Sequence, residues 1–215
     1  MQLSTKDMRQ LVSRLNRKRK IQAKQIDILC KDLIGAHRSF IKGLRSLSFA
    51  ADFYEAIIGK RRLDELLSTS ADLIQNELPY TNIVFFLRGE KGFEKFEYRL
   101  NSKVRNCINN TKTEGRENLC LETYFNNELV DNISKSNKLI SIEQMPEIGL
   151  QISPAILNQM SAYVIPLARS QTFIGFILLY RTQEPPLNVG HIKDIVSIAT
   201  GLAAALECCR SVKRL

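Results

Sequence analysis

Residues able to do chemistry are few in this chain of 215 residues, and they are scattered. Five cysteines, Cys30, Cys107, Cys120, Cys208 and Cys209, are an odd number with no CxxC spacing. The two histidines, His37 and His191, are far apart, so a zinc site is not expected. The cysteines read as reduced thiols of a reducing compartment. Cys208 and Cys209 are neighbours on a predicted helix, where adjacent side chains point about 100° apart. One of them should face apolar surroundings and the other a boundary. No glycine-rich phosphate loop, Ser-His-Asp set or paired acids appear in a known context, so no catalytic residue, metal or cofactor is expected. His37 falls beside a heptad seam and His191 in the first turn of a helix, which suits solvated or capping roles better than haem ligation.

One cluster does stand out. Arg14, Arg17, Lys18, Arg19, Lys20 and Lys24 crowd onto less than three helical turns and could contact an anion. Three readings fit: nucleic acid, an anionic membrane surface, or a solvated stretch pairing with an acidic protein. No aromatic residue interleaves with the cluster, and no helix-turn-helix pattern surrounds it, which leaves nucleic acid the less favoured partner. The charge is concentrated here. Residues 1–62 hold 15 basic and 5 acidic groups, and the other 153 hold 16 and 17. A neutral globular part therefore carries a basic front end.

The elements that position these groups begin with a long helix. Ser4 and Asp7 offer a capping-box-like start. Met8, Val12, Leu15, Arg19, Gln22, Ile26, Leu29, Leu33, Ala36 and Phe40 then follow a four-three spacing, a heptad seam that is apolar except at Arg19 and Gln22. It reads as a dimeric coiled coil or bundle, against the alternative of one amphipathic helix packed on its own domain. Gly43 to Ser48 is expected to bend, with a second helix over Phe49–Ile58 and a third from Leu63 to before Pro79. Asp64 and Glu65 suit the start of that third helix.

Tyr80–Arg88 reads as a strand, Gly89–Gly92 as a turn, and Phe93–Leu100 as a strand with Phe96, Tyr98 and Leu100 on its buried face. Asn101–Asn118 is polar and turn-rich. A helix over Leu119–Val130, a short strand over Lys138–Ile142 and a short helix from Pro154 follow. The last two strands end in Val164-Ile165-Pro166-Leu167 and run through Phe173–Tyr180. The latter is apolar on both faces and should be central, with Gly175 admitting a helix closely. After Pro185-Pro186, Asn188 caps a final helix in which Ile195, Ala199, Leu202, Leu206 and Cys209 again follow the four-three spacing.

The order of these elements, the Val164–Leu167 strand and the Ile174-Gly175-Phe176 strand resemble a GAF domain over about Leu63–Leu206. The resemblance implies an α+β fold, an antiparallel sheet flanked by helices, here with a helical N-terminal extension. It divides the chain into a basic helical dimerisation or signalling region, 1–62, and a GAF-like domain, 63–215. It implies a regulatory module rather than an enzyme, a homodimer through terminal helices (Leu15, Ile26, Leu29, Leu33, Phe40, Leu202 and Leu206), and a small-molecule ligand or partner protein. A pocket would lie between one sheet face and the segment Asn101–Met160, lined by Phe96, Tyr98, Tyr124 and Tyr163. All four aromatics could equally be core.

Two other readings stay open: a scaffold whose core is filled, and a nucleic-acid-associated regulator using the basic helix. The Cys-His pair of bilin-binding members is absent, and the cyclic-nucleotide signature is not found in order. Cys107 and Cys120 fall where some members reduce methionine sulfoxide, but their surroundings do not match. No apolar run approaches the roughly 20 residues of a membrane span. The N-terminus has no signal-peptide pattern, so the expected compartment is the cytoplasm. An output would sit on a separate protein or on a longer chain.

Overall fold

The computed structural model describes residues 5–90, 92–98, 120–170, 172–182 and 185–212. Ser4, the Arg99–Leu100 end of the second strand, the polar stretch 101–118 and Cys107 lie outside them. The chain forms two compact units, Met1–Ser48 and Phe49–Leu215. The division falls ahead of the expected 62/63 boundary because Phe53 and Ile57 are buried in the core of the second unit.

Helix α1 spans Thr5–Ile57, so the expected bend at Gly43–Ser48 is not there. Gly43 costs about 1 kcal/mol against alanine in a helix, but it removes no hydrogen bond as a proline would. In the first unit every side chain from Val12 to Arg45 is exposed.

The second unit is built on one antiparallel sheet. Its strands are β1 (Asn82–Arg88), β2 (Phe93–Tyr98), β3 (Ile140–Ser141), β4 (Met160–Arg169) and β5 (Thr172–Thr182), in the order β2-β1-β5-β4-β3. β5 is central, as its apolar composition requires. Ile174, Ile177 and Leu179 face one core, and Phe176, Leu178 and Tyr180 face another. The first core is closed by the end of α1, by α2 (Leu63–Glu77) and by α5 (Val189–Val212). The second is closed by the intervening chain: a 3-10 turn at Leu121–Tyr124, α3 (Asn127–Ser136) and the residues up to α4 (Pro154–Leu157). Asn126 caps α3, its Oδ1 accepting from Leu129 N at 2.8 Å. Asn188 caps α5 as expected, accepting from Gly190 N at 2.7 Å. Pro166 costs β4 little, because β3 pairs only with Val164 and Tyr163 and β4 is an edge beyond it.

Gly175 does mark a close approach, but to a strand and not to a helix. A Cβ there would lie 2.1 Å from Phe86 O and 3.0 Å from Leu87 Cα on β1. The close helix contact is at Gly201 of α5, where a Cβ would meet the Tyr54 ring at 2.2 Å. Tyr54 Oη donates to Ser197 O at 3.3 Å, which fixes the ring over that glycine.

Gly175→Ala must push β1 and β5 apart at the centre of the sheet. The expected loss is at least about 1–3 kcal/mol, the usual cost of overpacking, measured from urea midpoints. Gly201→Ala should cost less, since a side chain and not a backbone must yield.

Candidate functional site

The sheet face under the intervening segment holds an aromatic layer and one buried polar pair. Phe86 and Phe176, neighbours across β1 and β5, stack with centroids 4.6 Å apart. Phe125 stacks on Phe86 at 5.4 Å, and Phe93 packs against Phe176 at 6.3 Å. Beside them Tyr180 Oη donates to Glu122 Oε2, with both side chains buried. A carboxyl group taken out of water beside apolar neighbours needs such a donor. The pair ties the turn at Leu121–Tyr124 to the central strand. No nucleophile and base are set together in it among the described residues.

The four aromatics expected to line a pocket are not brought together. Phe96, Tyr98 and Tyr163 pack against the opposite core, the one closed by α2 and α5. The reason is register: Tyr98 pairs with Ile83, Phe96 with Phe85 and Tyr163 with Leu179, all of which face those helices. Tyr98 meets Phe85 edge-on at 5.7 Å, and burial, then Asp64 and Asp72 of α2, push its phenol above its ordinary pKa. Tyr124 alone belongs to the intervening segment, and it is exposed. The Glu122–Tyr180 pair escaped the sequence reading because 58 residues separate its members. Its only local trace is one acid between Leu121 and Phe125.

The terminal-helix residues also divide. Leu202 and Leu206 are wholly buried in their own chain, with Ile195, Ala199 and Cys209 beside them. The four-three stripe of α5 is therefore spent on the sheet and is not free for a partner. Leu15, Ile26, Leu29, Leu33 and Phe40 of α1 are instead exposed, Leu33 at 71%. Arg14, Arg17, Lys18, Arg19, Lys20 and Lys24 are exposed on the same helix.

A second buried polar group lies at the other end of β5. Arg181 donates to Pro79 O at 3.2 Å and to Pro186 O, joining the entry of β1 to the loop before α5. Its Nε, and Thr81 Oγ1, are buried with no hydrogen-bond partner among the described residues, and burial lowers its pKa. His191 helps fix the same corner, its Nδ1 lying 3.0 Å from Glu77 O. At the opposite end, Arg88, Phe173, Glu207 and Arg210 line a groove of about 380 Å³. Arg210 donates to Arg88 O at 2.7 Å there, and Glu207 pairs with Arg169 at 2.9 Å. Among the described residues no group of three or more His, Cys, Asp or Glu could hold a metal ion. No helix among them is long and apolar enough to cross a membrane.

No protein-family model matches the sequence, and no curated protein matches it. Solved structures do match. The GAF domain of an Acinetobacter phosphoenolpyruvate-protein phosphotransferase superposes with a TM-score of 0.55 at 12% identity, over 80% of this chain and 98% of that one. The corresponding domain from Coxiella burnetii gives 0.55 at 14% identity, over 80% and 98%. A GAF domain/HD domain protein from Geobacter sulfurreducens gives 0.50 at 12%, over 72% and 97%. At such identities the likeness is one of fold, and the fold of this chain is GAF-like, as its last strands suggested.

Tyr180→Phe should lower stability by about 0.5–1.5 kcal/mol, the usual net worth of a hydrogen bond, read from chemical denaturation. Alkaline pH should also destabilise. Burial, then Cys208, raise the Cys209 thiol pKa, while the phenol of Tyr98 is raised as well. The unfolded chain therefore releases these protons first. Stability should be full below the ordinary thiol value and fall as pH rises through the raised one. Cys209→Ala should remove the thiol's share of that fall.

Proposed function

We propose that this chain is a regulatory domain that acts as a pair, held by α1 against α1 of a second copy. The observation that carries the reading is the exposed seam Leu15, Ile26, Leu29, Leu33 and Phe40. Such a row of apolar side chains at heptad spacing gains by meeting its own copy, and a lone helix gains nothing from it. The likeness of fold supports the regulatory part, since the GAF domains named above come from proteins that also carry another activity. The ligand would be a small molecule seated on the second sheet face, beside the aromatic layer and the Glu122–Tyr180 pair. Phe96, Tyr98 and Tyr163 take no part in this site. The output would be carried by a partner protein that senses the α1 pair.

The stack of Phe86, Phe125 and Phe176 supports a second reading, in which that face is filled and the pair serves as a scaffold. Native mass spectrometry of the purified protein separates the two. A mass of twice 24.5 kDa plus a retained small molecule, lost in Tyr180→Phe, is expected for the sensor. Twice the mass with nothing retained favours the scaffold. A strict monomer overturns both. Ile26→Glu with Leu33→Glu should give that monomer while the second unit keeps its melting temperature.

A further inference from the structure

At one end of the sheet the helical face turns polar. Arg181 of β5 pairs in register with Ser161 of β4. One step beyond the Asn82–Tyr180 pair, Thr81 comes opposite Arg181 from the other side. Residues directly opposite in an antiparallel pair share a face. Alternation from Ile83, Leu179 and Tyr163, which all face the helices, puts the three in one row under them. Thr81 is wholly buried, and Arg181 is 9% exposed.

The row is rich in donors. A guanidinium keeps its charge at neutral pH and carries several N–H groups in a fixed fork. Arg181 gives Nη1–H to Pro79 O and Nη2–H to Pro186 O. Its Nε–H has no partner among the described residues, and neither has Thr81 Oγ1. Ser161 Oγ accepts from Leu187 N at 3.1 Å, which leaves its O–H to donate. The two proline carbonyls bring only partial negative charge. Among the described residues no acid pairs with Arg181; Glu77, which ends α2, lies against His191, its Oε1 3.5 Å from Nδ1. Pro186 shortly precedes α5, whose first turn adds positive potential. A buried charge needs an opposite charge as well as hydrogen bonds. A water molecule would satisfy the N–H and the hydroxyl and leave the charge. An anion satisfies all three, and the burial of both groups keeps it small.

We infer that the Thr81–Arg181–Ser161 row is a binding site for one small anion, a halide or a single carboxylate, held by Arg181 Nε–H and the Thr81 hydroxyl. Bound there, the anion joins the entry of β1 to the start of α5. The site is on the sheet face opposite the proposed ligand. It rests neither on that ligand nor on the pairing of α1.

The test heats the full chain in sodium gluconate, with gluconate replaced stepwise by chloride or by formate at constant ionic strength. Tyrosine fluorescence follows the second unit, where every tyrosine lies. An anion that binds the folded chain raises the melting temperature, and one filling this site should do so with saturation where bulky gluconate does not. The two series tell a halide from a carboxylate. Thr81→Val keeps the side-chain shape and removes the hydroxyl. It should weaken the apparent affinity about ten-fold or more, the worth of a hydrogen bond to a charged group. If Thr81→Val instead leaves the response unchanged and raises the melting temperature in gluconate, the hydroxyl is merely an unpaired polar group, and the assignment is overturned. Arg181→Met should abolish the response. Arg169→Gln, an exposed arginine at the opposite end of the sheet, should keep it. Equal melting temperatures of the parent in all three salts would overturn the site. So would a response that appears only in Glu184→Gln, since an acid of the chain would then supply the charge.

Discussion

Burial of β5 on both faces is the constraint on which the second unit depends. A strand apolar on one side needs one cover; β5 needs two, and it needs a neighbour along each edge. The chain supplies β1 and β4 at the edges, three helical segments on one side and the Leu121–Leu157 stretch on the other. Gly175 is the local form of the same constraint. With Phe86 O where its Cβ would be, β1 and β5 come together only because the residue has none. Tyr180 carries the constraint to the end of the strand, where the layer has to take in one polar atom and provides Glu122 for it.

The two covers have different characters. The helical side is mostly apolar where it meets the sheet, and α5 spends its four-three stripe there. The other side mixes short turns with aromatic stacking and a buried carboxyl group. Short turns leave backbone groups that must be satisfied one by one, as Asn132 Nδ2 does by donating to Ile148 O at 2.9 Å. A cover assembled in this way is easier to remodel than a packed helix, since local opening is cheapest where cooperative contacts are few. That contrast is why the proposed ligand is placed on this face.

How much was legible followed from what each pattern can encode. Two-sided apolarity placed β5 correctly, because only a central strand can bury both faces. Alternation in β2 grouped Phe96 with Tyr98 correctly, but a period of two states which residues share a face and never which layer covers it. The four-three stripe behaved likewise. On α5 it meant the chain's own sheet, while on α1 the seam side chains from Val12 to Phe40 are exposed. Spacing announces that a face will be buried; the partner is set by the rest of the fold. The Glu122–Tyr180 pair and the Arg181 latch join segments distant in sequence, and no window along the chain holds both members. The continuity of α1 past Gly43 was missed for a different reason: a helix tolerates a glycine whose cost is spread over its whole length.

The proposed pairing covers the α1 seam with a second copy. An unpacked helix opens readily, because most helical stability in proteins comes from tertiary packing. Amide hydrogen exchange, followed by mass spectrometry over a range of protein concentrations, reads that cover directly. Protection along Ile26–Phe40 should rise with concentration, while β5 stays the slowest-exchanging segment throughout. Rapid exchange along Ile26–Phe40 at every concentration would contradict the pairing.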